Sequence, residues 1–167
     1  FVPAHPIAGA EKSGVMAARV DLFRNKHLVL TPLAETNHDA IERVKTLWQT
    51  CGANVTQMPA DEHDRILAAT SHLPHILAFA LINHLSQNTE SNPDYLLRFA
   101  GSGFQDFTRI ASSSPEMWRD ICIANRDALN IQIEAYQKKL ALFKEMLEEN
   151  NTKELEEAFS HAQKTRD

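Results

Sequence analysis

The chain changes its hydrophobic rhythm once, near Pro59. Before that point, residues 27–33 (HLVLTPL) form an apolar run stopped by Pro32. Residues 53–59 (ANVTQMP) alternate until Pro59, and both stretches predict strands. Between them Ile41, Val44, Leu47, Trp48 and Cys51 recur at helical spacing. That pattern predicts a helix with Asp39 as its N-cap and Gly52 ending it in the left-handed region. Strand, helix, strand is the closing portion of an α/β domain.

Beyond Pro59 nothing alternates at period two. Apolar residues recur at helical spacing over residues 60–84, where Pro74 is expected to kink or break the helix. The polar stretch SQNTESNPD reads as a turn region, followed by a short helix around 95–99 and another over 104–111. Ser114 and Pro115 supply an N-cap and a first-turn proline. The stripe Trp118, Ile121, Cys122, Asn125, Leu129, Ile133, Tyr136, Leu140, Phe143, Leu147 then continues to Glu149. One helix of that span is on the order of 50 Å long. A domain of this size cannot enclose it, so its stripe is expected to face a second subunit. Asn151 and Glu154 form a capping pair before a closing amphipathic helix. The opening stretch FVPAHPIAGAEKSG is punctuated by Pro and Gly, has no element of its own and lacks an initial Met, so the chain reads as the later part of a longer protein.

Composition narrows the function classes. With 167 residues, 43% hydrophobic and 23% charged, the chain has the make-up of a folded globular protein. A net charge of -5 with dispersed Lys and Arg disfavours nonspecific capture of nucleic acid or an anionic membrane. No uninterrupted apolar run approaches the roughly 18 residues of a membrane span. Cys51 and Cys122 form no CxxC pattern, which fits a reducing, cytoplasmic setting.

Four segments carry candidate chemistry: His5, the pair His63 and Asp64, the pair His72 and His75, and Arg109 with Trp118. His72 and His75 are three apart and share a helix face, with His63 nine residues earlier. A zinc site is one reading of three histidines, but HEXXH is absent and Pro74 separates the pair. Recognition of an anion is the other, since imidazoles and an Arg fork bind carboxylates. Against it stand plain structural roles: a surface ion pair of Arg109 with Asp106, and core packing for Trp118, Phe104 and Phe107. The GSG at 101–103 lacks the rest of a nucleotide-binding GxGxxG and reads as a tight turn between helices.

Three stretches, HPIAGAEKSG, DEHDRILAATSHLPHILAFAL and GSGFQDFTRIASSSPEMWRDICIAN, together resemble the prephenate dehydrogenase family, also called arogenate or cyclohexadienyl dehydrogenase. The resemblance spans nearly the whole chain. It implies a mainly α protein: residues 1–59 as the last strand-helix-strand portion of a Rossmann-type dinucleotide-binding domain, and residues 60–167 as an all-helical substrate-binding and dimerisation domain. The implied reaction is an oxidoreductase step of tyrosine biosynthesis, oxidation of prephenate by NAD or NADP to 4-hydroxyphenylpyruvate and carbon dioxide. The chain lacks the Gly-rich phosphate loop and the ribose-binding acid of such a cofactor site, so alone it is expected to be inactive.

By the same resemblance His5 is the catalytic histidine at the ring hydroxyl, and Arg109 clamps the ring carboxylate. His75 meets the pyruvyl side chain, while His72, His63 and Asp64 line or orient the site. Trp118 closes the pocket across a homodimer interface. Gln105 stands where the family often has a basic residue, which removes any cationic contribution from that position. Arogenate as substrate, tyrosine as inhibitor, fusion to another enzyme, and a noncatalytic dimerising or tyrosine-sensing module remain open alternatives.

Overall fold

The computed structural model describes residues 1–9, 14–87 and 93–167. Residues 10–13 of the first motif and 88–92 of the polar turn lie outside the described residues. Three strands, β1 (Ala4–Pro6), β2 (His27–Leu30) and β3 (Asn54–Gln57), form one sheet in the order β1-β2-β3. β2 and β3 are parallel, joined by the crossover helix α1 (His38–Thr50), whereas β1 runs antiparallel to β2 with His5 opposite Val29. Leu28, Leu30, Ile41 and Ala53 are buried between sheet and helix, with Phe23 and Trp48 packed edge to face beside them. Parallel pairing through a helix demands this covered, continuously apolar strand.

Two expectations shift here. The N-cap of α1 is Asn37, whose side chain accepts from the Ala40 amide, two residues before Asp39. The opening stretch, read as a loop, supplies β1; three residues with two prolines nearby give no alternation to detect. Gly52 ends α1 as expected, at φ 85°.

The rest is helical: α2 (Ala60–Leu67), α3 (Leu73–Ser86), α4 (Pro93–Leu97), α5 (Ser102–Thr108), α6 (Pro115–Ala124), α7 (Arg126–Glu148) and α8 (Thr152–Arg166). Pro74 does not break the second helix. A π-helical turn, Ala68–His72, joins α2 to α3, and Pro74 falls in the first turn of α3. The wider turn releases the backbone groups that a proline ring would otherwise meet, so the rod runs on from Ala60 to Ser86. Counted through Pro74, that 27-residue stretch is long and apolar enough to cross a membrane by length and composition, which uninterrupted runs did not reveal.

The single helix expected from Ser114 to Glu149 is instead two. Ser114 caps α6 through the Met117 amide and Pro115 opens it, but Asn125, at φ -111° and ψ 30°, ends it, and α7 starts afresh. Asn151 accepts from the Glu154 amide and caps α8. Phe143 of α7 stacks on Phe159 of α8, while Ile131, Leu140, Leu142 and Leu147 of α7 stand exposed.

Candidate active site

The sheet and the helical part meet along an open cavity of about 1390 Å³. His5 reaches its wall from β1, His72 from the π-helical turn, His75 from α3, Arg109 from the turn after α5, and Trp118 from α6. These five predicted residues therefore line one cavity. His63 and Asp64, both on α2, stand behind His5. Arg19 also lines the cavity, with its guanidinium held by Asp21 at 3.2 Å; no motif had pointed to it.

The histidines form an ordered set. His63 Nδ1 lies 2.8 Å from Asp64 Oδ1, and its Nε2 lies 2.8 Å from Nδ1 of His5. A carboxylate only accepts, so Nδ1 of His63 donates to Asp64. In its neutral form His63 then offers Nε2 as an acceptor, His5 donates to it through Nδ1, and Nε2 of His5 carries the lone pair. Desolvation at the cavity wall lowers the pKa of His5, and nearby His63 lowers it further.

His75 donates through Nδ1 to the Ser71 carbonyl at 2.9 Å, four residues earlier, which leaves its Nε2 as an acceptor. Its ring stacks on the Trp118 indole at 3.5 Å between centroids and 21°. Burial holds its pKa below the ordinary value; the Ser71 carbonyl opposes that, and positive Arg109 adds to it. His72 is 9% exposed and meets Trp118 edge to face. Its pKa is also lowered by burial, against the pull of Asp64.

The π-helical turn explains how one rod serves both rings. Inserting a residue into the turn shifts the face on which later side chains emerge. Trp118 reaches the histidines from within the same chain and is 8% exposed there. Its Nε1 is buried without a hydrogen-bond partner among the described residues.

Asn125 went unrecognised as a polar contact of this cluster. Its amide lies 2.8 Å from the Asp64 carbonyl and 3.1 Å from His72 Nδ1. The signal was present in the sequence, because Asn125 occupies an apolar position of the stripe that begins at Trp118.

The whole length of the chain is similar to known proteins. Residues 59–161 match the family model for the prephenate dehydrogenase dimerization domain, and residues 1–57 match that for the prephenate dehydrogenase nucleotide-binding domain. The chain belongs to the prephenate dehydrogenase family. It is 38% identical over 167 residues to a prephenate dehydrogenase of Bacillus subtilis strain 168, covering all of this chain and 45% of that protein. It is 34% identical over 166 residues to a cyclohexadienyl dehydrogenase of Zymomonas mobilis, covering 99% of this chain and 57% of that protein. The chain thus spans about half the length of these relatives. Among solved structures it is similar to Aquifex aeolicus prephenate dehydrogenase in complex with hydroxyphenyl propionate and NAD+, with TM-score 0.92, 40% identity, and coverage of 99% of this chain and 58% of that one. It is also similar to Synechocystis arogenate dehydrogenase, with TM-score 0.86, 25% identity, and coverage of 99% and 60%. The mainly helical architecture after a small three-stranded sheet matches the fold of this family.

Proposed function

We propose that this chain is the substrate-binding and dimerising part of a cytoplasmic prephenate dehydrogenase, the enzyme that oxidatively decarboxylates prephenate to 4-hydroxyphenylpyruvate in tyrosine biosynthesis. Residues 1–59 belong to its nucleotide-binding domain and residues 60–167 to its helical domain. One observation carries the reading: His5, His72, His75, Arg109 and Trp118, from five different segments, line one cavity.

The substrate chemistry asks for these groups. Prephenate carries two carboxylates, a ring hydroxyl and a ketone, so an acidic protein needs a local cation and directed imidazoles to hold it. Arg109 clamps the ring carboxylate. His5 Nε2, bearing the lone pair, accepts the hydroxyl proton as hydride leaves the same ring carbon. His63 and Asp64 keep that lone pair aimed outward and stabilise the His5 cation as it forms. The ring carboxylate then leaves as carbon dioxide, its bond electrons aromatise the ring, and His5 returns the proton to the phenolic oxygen. Hydride and carbon dioxide are the net losses. His75 meets the pyruvyl side chain, and His72 lines the site beside the Trp118 indole.

NAD or NADP would accept the hydride. This chain's residues do not fit its diphosphate: the five glycines form no GxGxxG, and Gly52, at positive φ, packs its backbone on Arg24. The cofactor is therefore held mainly by residues outside this chain, and this chain alone is inactive. The exposed apolar side chains of α7 support a homodimer through the long C-terminal helices.

Arogenate is the second reading, favoured by the similarity to the Synechocystis arogenate dehydrogenase. Steady-state turnover of the full-length enzyme on both substrates, each with NAD and NADP, tests the proposal. Faster turnover of prephenate is expected. Preference for arogenate would replace the substrate assignment, and binding of tyrosine without any turnover would favour a noncatalytic sensing module.

A further inference from the structure

We propose that Asn125 is a positioning residue for this site: it locks His72 as the Nε2–H tautomer and so fixes the hydrogen-bond donor that the π-helical turn presents to the cavity. The inference rests on the dehydrogenase reading above for its kinetic consequences, though not for its geometry.

Asn125 sits between α6 and α7, and its torsions, φ -111° and ψ 30°, end the first helix. Its Nδ2 lies 2.8 Å from the Asp64 carbonyl oxygen and 3.1 Å from His72 Nδ1. A carbonyl oxygen can only accept, so the NH2 end of the amide must face it, and the orientation of Asn125 follows. The second N–H of that group then points at His72 Nδ1, which must offer its lone pair. A neutral His72 therefore carries its proton on Nε2. Since Nδ1 is taken by Asn125 and the ring lines the cavity, Nε2–H is the polar group left for a bound molecule.

The ring's surroundings keep it neutral. It is buried, and His5 of β1, His63 of α2 and His75 of α3 each oppose a positive charge there; Asp64 of α2 alone favours one. His72 and His75 thus come to the cavity with opposite polarity, a donor from the first and an acceptor from the second. The same amide also grips the backbone of Asp64, whose carboxylate orients His63. One side chain at a helix break therefore touches both His72 and the residue that orients His63 and, through it, His5.

The test uses the full-length enzyme. Asn125→Ala is expected to raise KM for prephenate roughly 3- to 10-fold, the scale of one neutral hydrogen bond, with a smaller change in kcat. Asn125→Asp replaces a donor at Nδ1 by an acceptor. Neutral His72 then carries its proton on Nδ1 and loses it from Nε2, and only the imidazolium keeps both. The variant's KM should therefore climb as pH rises through the His72 titration, a climb that the unsubstituted enzyme lacks. Nitrogen-15 spectra of histidine-labelled enzyme, with the His72 signal assigned by its loss in His72→Gln, read the tautomer without any turnover. A bare Nδ1 and protonated Nε2 are expected, reversing in Asn125→Asp. A protonated Nδ1 in the unsubstituted enzyme overturns the proposal, as does an unchanged KM profile in Asn125→Asp when the unsubstituted enzyme is active. Should the unsubstituted enzyme turn over neither prephenate nor arogenate, the dehydrogenase reading fails while the spectra still decide the tautomer. Should the variants fail to fold, the spectrum of the unsubstituted enzyme decides it.

Discussion

His5 and His63, 58 residues apart in the chain, meet through Nδ1 and Nε2 at 2.8 Å, and Asp64 holds the far nitrogen of His63 at the same distance. The contact joins the sheet to the helical part. It also makes the tautomer of His5 depend on a carboxylate that never reaches the cavity, because each ring passes on the donor and acceptor choice fixed by the one behind it.

If His5 is the base, His5→Asn in the full-length enzyme should lower kcat roughly 100-fold or more with little change in KM, the scale of a lost general base. His63→Ala and Asp64→Asn leave the base in place but free its tautomer, so each should lower kcat by a smaller factor, roughly 10-fold. Activity equal to the parent in both would remove the relay. Nearly intact turnover in His5→Asn would make His5 structural.

The acid limb of kcat/KM should report the same residue. Desolvation first, and His63 second, hold the His5 pKa below the ordinary histidine value of 6.5. The neutral, proton-accepting form therefore persists to lower pH than an exposed histidine would allow. A pH profile measured with saturating cofactor should lose activity only below pH 6.5. Loss beginning well above that value would point to another base.

Arg109→Ala should raise KM for prephenate roughly 10- to 100-fold, as expected for a lost charge-assisted hydrogen bond, while KM for the cofactor stays near its parent value. Arg109→Lys should recover part of the loss, since an ammonium keeps the charge but not the two-pronged fork. Equal effects on both KM values would place Arg109 outside the substrate contacts.

How far the sequence reached differs from one element to another. β2, β3 and α1 were legible because period-two and helical spacing are local, and Gly52 marks the end of α1 by needing φ 85°. β1 was not, because a three-residue strand is defined by its partner, Val29 facing His5, and hardly by itself. Pro74 was expected to kink or break its helix; there is no break, and a π-helical turn, which has no composition signature, lies just before it at Ala68–His72. The break at Asn125 was invisible for a related reason. It coincides with two long-range hydrogen bonds of the Asn125 side chain, to Asp64 and His72, and periodicity carries no information about partners 61 and 53 residues away. The candidate residues stood out in the sequence through motifs, whereas the order His5, His63, Asp64 needed coordinates.

The turn closing α1 offers a stability test away from the site. A Cβ at Gly52 would lie 3.2 Å from the Arg24 Cα, and the residue already sits at φ 85°. Strain and crowding act in the same direction, so Gly52→Ala should destabilise the full-length protein by about 1–3 kcal/mol. Urea denaturation with an unchanged slope would measure it. An unaltered midpoint would mean that the Arg24 backbone yields without cost.

Acid should loosen the fold through the cavity histidines. His5, His72 and His75 all have pKa values lowered in the folded state, in each case mainly by desolvation. Between those lowered values and the unfolded value of 6.5, the unfolded chain binds more protons than the folded one, so stability must rise with pH across that window. Their contribution is complete above pH 6.5 and is lost as pH falls through the folded values. Urea midpoints of the full-length enzyme should therefore drop as pH is lowered from 7 toward 5. Because His72 is the most enclosed of the three, His72→Gln should flatten that drop even if it lowers the midpoint at pH 7. The comparison is of slopes with pH, which separates the titration from any loss of packing. Parallel curves for the parent and His72→Gln would assign the acid sensitivity to other groups.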